Sequence, residues 1–329
     1  MKVLVSGVTG RVGKRLAAAL IERGDEVRGL VLPEDSGAAA VQALGVECLE
    51  GNLRDSEVAT MAVADVDVVV HLGAAMLWGS NEHNQALFED NLRGTFNLAN
   101  AAAARGGLHR FVLASSDEVY PSLFARYLPI DENHPTKPYS FYGLTKVAGE
   151  ELLHYYHRAE DLPIAIARFA LVAQPWETTR PGGWLGRFLF LEPMLGMIEF
   201  RAGREAADQV AQLNKGNNTL LLARDAEGQP YMFHFCDVRD IVQGLQLLID
   251  EPAAVGEAFN LSGPAPFSYD TVIPYLAERA GYPWVEARIP GPPIRIHHST
   301  AKARALLGYL PQYDVFRSID DGLREPNVE

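Results

Sequence analysis

The apolar residues at the start of the chain follow two different spacings. Residues 2–6 and 26–32 are short, Val-rich runs without alternation, which is typical of buried parallel strands. Residues 11–23 between them repeat their apolar positions at helical spacing, and Gly24 follows as a helix-ending glycine. A strand, a helix and a second strand in this order predict a βαβ unit.

The same alternation continues to residue 175. Further strands are predicted at residues 66–71, 110–115 and 164–169, and helices at residues 89–104 and 142–159. Repeated βαβ units predict an α/β fold with a Rossmann-type doubly wound parallel sheet. In such a sheet, ligands bind at the carboxyl ends of the strands.

The pattern changes after Pro175. Residues 176–230 are rich in Gly, Pro and Trp and show weak periodicity; a strand at 233–235, a helix at 237–248 and a strand at 258–261 are then predicted. We therefore predict a dinucleotide-binding domain formed by residues 1–175 and 231–262. A smaller C-terminal substrate-binding lobe is predicted from residues 176–230 and 263–329.

Charge and composition exclude several classes of partner. The net charge is −13 and no cluster of Lys or Arg is present, so we expect no nucleic-acid partner. The most apolar stretch, residues 66–78, contains Asp67 and His71 and is too short to span a bilayer. We expect a cytoplasmic protein with no membrane partner, and with Cys48 and Cys236 reduced.

A glycine-rich turn follows the first predicted strand. It reads GVTGRVG, with a GxxGxxG spacing that opens the first helix. Glycines there permit a tight turn and a close approach of the backbone to a pyrophosphate, and the helix N-terminus attracts the phosphates. The context predicts a dinucleotide site formed by Gly7, Gly10, Arg11, Val12 and Gly13.

The choice between NAD and NADP depends on the end of the second strand. An acidic side chain there holds the ribose of NAD, whereas a cation accommodates the additional phosphate of NADP. Glu34 and Asp35 are the acidic candidates, and Arg11 and Arg28 are the cationic ones. The cofactor is therefore predicted as NAD(P), with NAD slightly favoured.

Three side chains are candidates for the chemistry. Tyr142 and Lys146 are four residues apart on a predicted helix, so that both point to one site, and Ser116 follows the strand at 110–115. The Lys146 ammonium and an oxidised nicotinamide both favour the Tyr142 phenolate, which would act as general base or acid. Ser116 would orient a carbinol oxygen, and Lys146 would also hydrogen-bond the nicotinamide ribose.

Metal chemistry is not predicted. His154 and His157 are three residues apart on the Tyr142 helix, without an acidic or Cys partner at ligand spacing.

Eight ordered segments carry a resemblance to a known family. They are GVTGRVG at 7–13, GNLRD at 51–55, HLGAA at 71–75, NLRGTFN at 91–97, SSDEVY at 115–120, YGLTK at 142–146, FHFCDV at 233–238 and KARALLGYLP at 302–311. The chain resembles the extended short-chain dehydrogenase/reductase family, also described as the NAD-dependent epimerase/dehydratase family, over nearly its whole length.

The resemblance implies further cofactor contacts, a fold and a chemistry. It adds these residues to the cofactor site: Asn52, Leu53, Leu72, Gly73, Ala74 and Asn91. It implies a Rossmann domain with a small substrate lobe, and a homodimer formed through a four-helix bundle. It also implies hydride transfer at a secondary hydroxyl of a small-molecule substrate, often a sugar attached to a nucleotide.

Two positions depart from the family pattern. Many members carry Asn where this chain has Leu171, and Arg where it has Pro230. Arg288 remains a candidate for a phosphate-binding arginine. Losing one donor and one cation weakens pyrophosphate recognition. We therefore expect an epimerase- or dehydrogenase-type oxidoreductase for a sugar, sugar acid or nucleotide sugar.

Two alternatives remain open. Ser116-Asp117-Glu118 resembles the Thr-Asp-Glu triplet of nucleotide-sugar 4,6-dehydratases, in which the acidic pair transfers protons during water elimination. Asp117 and Glu118 are accordingly candidate substrate residues. The second alternative is a non-catalytic NAD(P)-sensing regulator, which would not need the retained Ser116, Tyr142 and Lys146.

Overall fold

A parallel sheet forms the centre of the molecule. The computed structural model describes residues 1–76, 81–292 and 294–325. Its strands are β1 (Lys2–Ser6), β2 (Glu26–Val31), β3 (Glu47–Glu50), β4 (Val68–His71), β5 (Arg110–Ser116), β6 (Ile164–Phe169), β7 (Leu171–Ala173), β8 (Leu220–Arg224), β9 (Met232–Phe233), β10 (Phe235–Asp237), β11 (Glu257–Leu261), β12 (Phe267–Ser268) and β13 (Trp284–Arg288).

Helices cover both faces of this sheet and build the second lobe. They are α1 (Arg11–Glu22), α2 (Ala38–Gln42), α3 (Ser56–Val63), α4 (Asn84–Leu87), α5 (Gly94–Arg105), α6 (Phe141–Glu160), α7 (Leu191–Ala202), α8 (Arg204–Ala211), α9 (Val238–Asp250), α10 (Tyr269–Ala280), α11 (Ala301–Leu307) and α12 (Val315–Arg324). In the described parts of the chain, none of these helices has the length and apolar character needed to cross a bilayer.

The central sheet has seven strands in the order β11-β6-β5-β4-β1-β2-β3. All of its pairings are parallel. The chain runs outward from β1 through β2 to β3, then returns to β4 on the other side of β1, so the strand order reverses between β1 and β4. The predicted Rossmann-type doubly wound sheet is confirmed, and its ligand crevice lies at this reversal.

Alternate residues of the strands pack on opposite faces of the sheet. Val3 and Val5 belong to a core with α1 and α9, whereas Leu4 belongs to a core with α3, α5 and α6. Because both faces are covered, these strands are apolar throughout rather than alternating.

A second buried core includes residues of the segment 176–230, which is more regular in structure than its weak periodicity indicated. Two helices, α7 and α8, and strand β8 lie within that segment. Gly203 ends α7 with a φ of 88° and leads directly into α8, which breaks any continuous helical pattern. Leu191, Met194 and Ile198 are buried on one face of α7.

The strand predicted at residues 233–235 is two separate strands. Met232–Phe233 pairs antiparallel with β12, whereas Phe235–Asp237 pairs parallel with β7. His234 lies between them, with Nε2 3.1 Å from the carbonyl oxygen of Gly263. Two strands with different partners therefore adjoin at one polar residue.

One strand and two helices lie between residues 32 and 66, where no element was predicted. Strand β3 is at the edge of the sheet, and its Glu47 forms ion pairs with Lys2 and Arg28. Helix α3 begins after Asp55, whose side chain accepts a hydrogen bond from the Glu57 N–H. An edge strand with charged residues carries no continuous apolar run, so the pattern does not reveal it.

The helix predicted at residues 89–104 corresponds to a longer helical region in the structure, residues 84–105. Helices α4 and α5 are joined by a π-helical turn at Phe88–Arg93. A wider turn of this kind occurs frequently at functional sites. Of the segments interpreted from sequence, residues 77–78 of the apolar stretch, and residues 293 and 326–329 of the second lobe, lie outside the described residues.

Candidate active site

The glycine loop packs directly against the end of β4. Gly7 has a φ of +69°, and a Cβ there would lie 2.8 Å from the Gly73 nitrogen. A Cβ at Gly13 would lie 2.2 Å from the Gly7 carbonyl oxygen. Side chains at these two positions are therefore excluded, and the start of α1 is drawn close to the sheet.

The N-terminus of α1 faces the same crevice. Within the described part of the chain, no side chain caps the start of α1, and its first turn contains no acidic residue. The first N–H groups of the helix and its dipole are therefore available to an anion such as a pyrophosphate. The loop and helix fit a dinucleotide phosphate group.

A buried chain of polar side chains fixes the end of β4. Gly73 N–H donates to Ser6 Oγ at 3.1 Å, and Ser6 Oγ lies 2.6 Å from His71 Nδ1. On the other side of the ring, His71 Nε2 lies 3.0 Å from Thr95 Oγ1, which donates to the Asn91 carbonyl oxygen. These directions are all satisfied by a neutral His71 that carries its proton on Nε2.

Asn91 lies in the π-helical turn and joins three segments of the site. Its amide oxygen accepts the Ala75 N–H at 2.7 Å, and its Nδ2 donates to the Ala75 carbonyl oxygen at 3.0 Å. The same Nδ2 donates to Thr145 Oγ1, 3.2 Å away on α6. Asn91 therefore positions the backbone after β4 relative to the Tyr142 helix.

Acid is expected to destabilise the protein through His71. Burial lowers the pKa of His71 from 6.5 to about 3. Below pH 6.5 the unfolded chain takes up a proton that the folded chain excludes, so stability present above pH 6.5 is lost progressively as the pH falls toward about 3. Urea unfolding measured across this range tests the expectation.

The control for this effect is a second histidine. His157 lies near the end of α6, with Nδ1 2.8 Å from the Leu162 carbonyl oxygen. His71→Asn is expected to flatten the dependence of the unfolding free energy on pH, whereas His157→Asn leaves it close to wild type. An unchanged slope in His71→Asn would contradict the assignment. His234, whose pKa burial lowers to about 4, contributes a remaining slope of the same sign.

The carboxyl end of β2 opens into an acidic cavity of about 220 Å³. Glu34, Asp35 and Glu50 are among its lining residues. Asp35 also accepts hydrogen bonds from Thr9 Oγ1 and the Gly37 N–H, both at 2.8 Å. The carboxylates therefore line the pocket beside the glycine loop.

Both cationic candidates for a second phosphate are engaged with carboxylates. Arg28 is bound between Glu47 and Asp65. Arg11 Nη2 lies 2.8 Å from Glu177 Oε1, and its guanidinium carbon lies 5.1 Å from the Trp184 ring centroid. Arg28 is thus engaged by two carboxylates and is not among the residues that line the cavity at the end of β2.

The GNLRD segment at residues 51–55 is held by a turn of its own and by a side chain of α5. Asn52 Oδ1 accepts the Arg54 N–H at 2.9 Å, closing a turn on itself. Asn97 Nδ2 donates to the Leu53 carbonyl oxygen at 2.8 Å. Leu72 and Ala74 flank Gly73 directly after β4, where Leu72 N–H donates to the Ser6 carbonyl oxygen.

Ser116, Tyr142 and Lys146 are brought together at the carboxyl end of β5. Ser116 is the last residue of β5. Tyr142 lies in the first turn of α6, which begins after Ser140, whose hydroxyl accepts the Gly143 N–H at 2.9 Å. Lys146 Nζ lies 5.6 Å from the Tyr142 ring centroid. The helical spacing thus places both side chains at one site.

Burial and two neighbouring carboxylates oppose the ionisation of Tyr142. Burial raises the pKa of Tyr142, and the carboxylates of Glu118 and Asp117 raise it further, against a hydrogen bond with Ser116 that lowers it. Burial lowers the pKa of Lys146 to about 8, and its Nζ donates to the Ala114 carbonyl oxygen at 2.9 Å. Forming the phenolate therefore requires positive charge near the ring.

The two carboxylates of the SSDEVY segment have different surroundings. Glu118 accepts a hydrogen bond from Ser140 Oγ and so supports the start of α6. Asp117 instead accepts a 3.3 Å hydrogen bond from Ser116 Oγ. Burial, and to a smaller extent the charge of Glu118, raises the pKa of Asp117 to about 7. The Asp117 carboxylate thus lies against the candidate catalytic serine.

The remaining predicted substrate residue lies elsewhere on the lobe. Arg288 ends β13 and is exposed, with its guanidinium beside the turn at Gly228. Leu171 is half-buried on β7, and Pro230 forms a bridge with Arg224. Among the described residues, no group of three or more His, Cys, Asp or Glu side chains has the arrangement of a metal site.

Several residues of this site were not predicted from the sequence. Ser6 and Thr95 lie next to or within motifs that pointed to the cofactor, whereas Glu177 lies outside every motif and reaches the glycine loop only through its ion pair with Arg11. Asp117 Oδ2 lies 3.5 Å from Nε2 of His298, far away in the sequence. No local pattern could identify that neighbour.

The sheet, the uncapped glycine-loop helix and the Ser-Tyr-Lys set define a dinucleotide-binding oxidoreductase of the α/β class. The sequence profile of the NAD dependent epimerase/dehydratase family matches residues 3–189, and the chain belongs to this family. The predicted resemblance to extended short-chain dehydrogenases/reductases is confirmed.

Individual relatives agree with this assignment. The chain is 28% identical to UDP-glucuronate 4-epimerase 1 of Arabidopsis thaliana, over 96% of this chain and 74% of that protein. It is 25% identical to a UDP-glucose 4-epimerase of Halalkalibacterium halodurans, over 95% and 91% of the two chains. A short-chain dehydrogenase/reductase superfamily protein from Agrobacterium tumefaciens, solved with bound NAD, superposes with a TM-score of 0.89 at 33% identity, covering 98% and 96%.

Proposed function

We propose that the protein is an NAD-dependent, epimerase- or dehydrogenase-type oxidoreductase that acts on a secondary hydroxyl of a sugar, sugar acid or nucleotide sugar. The observation that carries the proposal is the Tyr142 hydroxyl against Ser116, with Lys146 on the same helix face. This set lies at the carboxyl edge of the sheet, where the glycine loop also opens.

Each of the three side chains has a distinct role in the proposed reaction. Ser116 holds the carbinol oxygen of the substrate, and Tyr142 takes the hydroxyl proton as general base. Lys146 stabilises the phenolate by its charge and binds the nicotinamide ribose. NAD, when bound, would supply the acceptor for the hydride of the carbinol carbon. In an epimerase, Tyr142 returns the proton when the ketone is reduced on its other face.

The cofactor contacts are proposed along the crevice. The loop residues Gly7, Gly10, Arg11, Val12 and Gly13 would hold the pyrophosphate. Asn52 and Leu53 would line the adenine side, and Leu72, Gly73 and Ala74 would contact the middle of the dinucleotide. Asn91 would act by fixing the Ala75 backbone, to which it makes two hydrogen bonds. Tyr142 and Lys146 would complete the nicotinamide end.

NAD is preferred over NADP in this proposal. A 2′-phosphate would enter the cavity lined by Glu34, Asp35 and Glu50, where like charges repel it. Arg11 and Arg28 are already paired with carboxylates. The NAD-bound Agrobacterium tumefaciens protein supports the same choice.

The test is product analysis on a defined panel. Purified protein is incubated with UDP-glucose, UDP-glucuronate, glucuronate or galacturonate and with NAD or NADP. An epimerase interconverts the sugars without net NADH, and a dehydrogenase forms one NADH for each product. The UDP-sugars are included because relatives are named for them; the free acids are included because Leu171 and Pro230 depart from the family pattern.

The same panel separates the alternatives. A 4-keto-6-deoxy product would identify the dehydratase reaction of Asp117 and Glu118. Against it, Glu118 is bonded to Ser140 at the start of α6. Tight NAD binding without any product would favour the NAD(P)-sensing regulator and would contradict the oxidoreductase.

We also propose a homodimer formed through α5 and α6. An apolar groove of about 520 Å³ lies between these helices, lined by residues that include Phe88, Leu92, Phe96 and Tyr155. Phe96 is 44% exposed and Tyr155 is 54% exposed. Two copies that pack these faces against each other would bury the groove in a four-helix bundle.

Phe96→Glu is expected to convert the dimer to a monomer, because a charge would be buried against the partner's apolar helix. Sedimentation velocity measures the change. Phe200→Glu is the matched control, since Phe200 is 87% exposed on α7, outside the groove. A wild-type monomer, or a dimer that survives Phe96→Glu, would contradict this interface.

We also propose that the chain is divided into two lobes. The dinucleotide-binding domain would comprise residues 1–175 and 231–262, and the substrate-binding lobe residues 176–230 and 263–329. A buried cluster that includes Leu221, Tyr269 and Ile294 supports a separate core for the lobe.

A further inference from the structure

His298 is a buried side chain whose polar atoms are not satisfied. Its exposed fraction is 2%, and within the described part of the chain neither ring nitrogen has a hydrogen-bond partner. An unpaired polar group in a protein interior destabilises the fold, whereas an apolar residue of similar shape would not. Packing alone therefore does not account for a histidine at this position.

The backbone of His298 is held on both sides. Ile130 N–H donates to the carbonyl oxygen of His297, the residue before His298. Ser299 N–H donates to the Ile130 carbonyl oxygen, and both distances are 2.7 Å. His298 N–H donates to His234 Nδ1 at 3.1 Å, and the two rings stack with centroids 6.0 Å apart. The ring is therefore fixed in one direction.

That direction is toward Asp117. His298 Nε2 lies 3.5 Å from Asp117 Oδ2, beyond a formed hydrogen bond but within the reach of a small adjustment. The other carboxyl oxygen, Oδ1, accepts from Ser116 Oγ at 3.3 Å. Hydrogen bonds of catalytic groups are often long in a ligand-free structure and shorten when substrate binds.

Asp117 is more accessible to a substrate than His298 is. Its side chain is 20% exposed, whereas that of His298 is 2% exposed. A substrate held by Ser116 and Tyr142 can therefore contact the Asp117 carboxyl, but it reaches His298 only through Asp117.

We propose that His298 is a positioning residue for the reaction, which shares one proton with Asp117 and holds that carboxyl against a substrate hydroxyl next to the reacting carbinol. In the neutral arrangement, Asp117 Oδ2–H donates to His298 Nε2; in the charged arrangement, the proton lies on Nε2. In both, Oδ1 stays free of the proton and accepts from a hydroxyl.

The proposal defines a substrate class and rests on the proposed function. Ser116 Oγ marks the carbinol oxygen, and Asp117 Oδ1 lies 3.3 Å from it. An acceptor at that distance suits a hydroxyl on the adjacent carbon. A sugar or polyhydroxy acid has this vicinal hydroxyl, whereas an isolated secondary alcohol does not.

The first test requires no substrate. Histidine-labelled protein loaded with NAD is examined by ¹⁵N NMR, and His298→Gln assigns the His298 ring signals by their loss. Asp117→Asn is expected to shift these signals, because the proton partner has been removed, and to leave the His157 signals in place. Unchanged His298 signals in Asp117→Asn would overturn the pairing, whatever the enzyme turns over.

The second test measures catalysis with UDP-glucuronate and with the free glucuronate and galacturonate. His298→Phe keeps the ring packing against His234 but removes the nitrogens. It is expected to lower kcat/KM about 10- to 100-fold, the size of one charge-assisted hydrogen bond. His298→Gln, which returns an amide near Nε2, is expected to recover most of that loss.

The outcomes distinguish this inference from the proposed function. If the wild-type protein turns over a substrate and His298→Phe matches it, the inference fails and the function stands. If His298→Gln is as impaired as His298→Phe, the ring has only a structural role and the inference fails. If the wild-type protein converts nothing, the function fails, and the NMR signals alone decide whether the pair exists. His157→Gln is the matched control for both measurements.

Discussion

Tyr142→Phe is expected to lower kcat by about 100- to 10,000-fold, the range contributed by general acid–base catalysis. The substitution removes the hydroxyl that bonds to Ser116 but keeps the buried ring. Binding of NAD is expected to persist, because the glycine loop and the first turn of α1 are untouched. Steady-state product formation and NAD titration by calorimetry measure the two properties separately.

The matched control for this substitution lies on the same helix. Tyr155→Phe removes a hydroxyl from a side chain that is 54% exposed, and it should leave kcat near wild type. Retention of full activity in Tyr142→Phe would exclude Tyr142 as the base. Loss of NAD binding together with kcat would instead show that the Tyr142 hydroxyl holds the cofactor.

The sequence was sufficient to predict the Rossmann half of the fold. Its strands are buried on both faces, so that β1, β4, β5 and β6 each carry an uninterrupted apolar run. The glycine loop and the Tyr142 helix were also predictable, because a turn and a four-residue spacing are local features. Their expected positions agree with the structure to within a few residues.

Elements with divided or polar surroundings were not predictable. Strand β3 carries Glu47, which forms ion pairs with Lys2 and Arg28, so this strand has a charged residue where a continuous apolar run would be expected. The residues at 233–235 look like one strand, but His234 bonds to Gly263 and separates two pairings. Contacts of this kind depend on chain segments that only the fold brings together.

The same limit applies to the candidate site. Asp117 was predicted as a substrate residue from its triplet, but its neighbour His298 comes from the other end of the chain. Arg11 was predicted to contact the cofactor, and the ion pair with Glu177 adds a connection to the second lobe. Motif spacing identifies which residues carry chemistry, whereas tertiary contacts determine their ionisation and direction.

Arg168→Met is expected to lower the free energy of unfolding by about 3–5 kcal/mol, the cost of leaving one charge of a buried ion pair alone. Arg168 binds Glu150 through two hydrogen bonds, of 3.0 and 2.7 Å, and both side chains are buried. Ser115 Oγ donates to the same carboxylate, so the pair ties α6 to β5 and β6. Urea unfolding at neutral pH measures the loss.

An exposed ion pair provides the control. Arg204 and Asp208 lie 3.7 Å apart, one helical turn apart on α8, and Arg204→Met should change stability by no more than about 0.5 kcal/mol. A comparably small effect in Arg168→Met would show that the Glu150 carboxylate is satisfied without its partner.

The double variant Glu150→Leu with Arg168→Met tests whether the penalty comes from the unpaired charge. If it does, removing both charges should recover much of the stability that Arg168→Met loses, since a buried ion pair is seldom more stabilising than apolar residues of similar volume. Its activity should then remain below wild type, because Ser115 and Tyr120 lose the partners that connect β5 to α6 and β6. Recovery of stability without recovery of kcat would assign this buried pair to the placement of Ser116 against Tyr142; a double variant no more stable than Arg168→Met would place its role in packing.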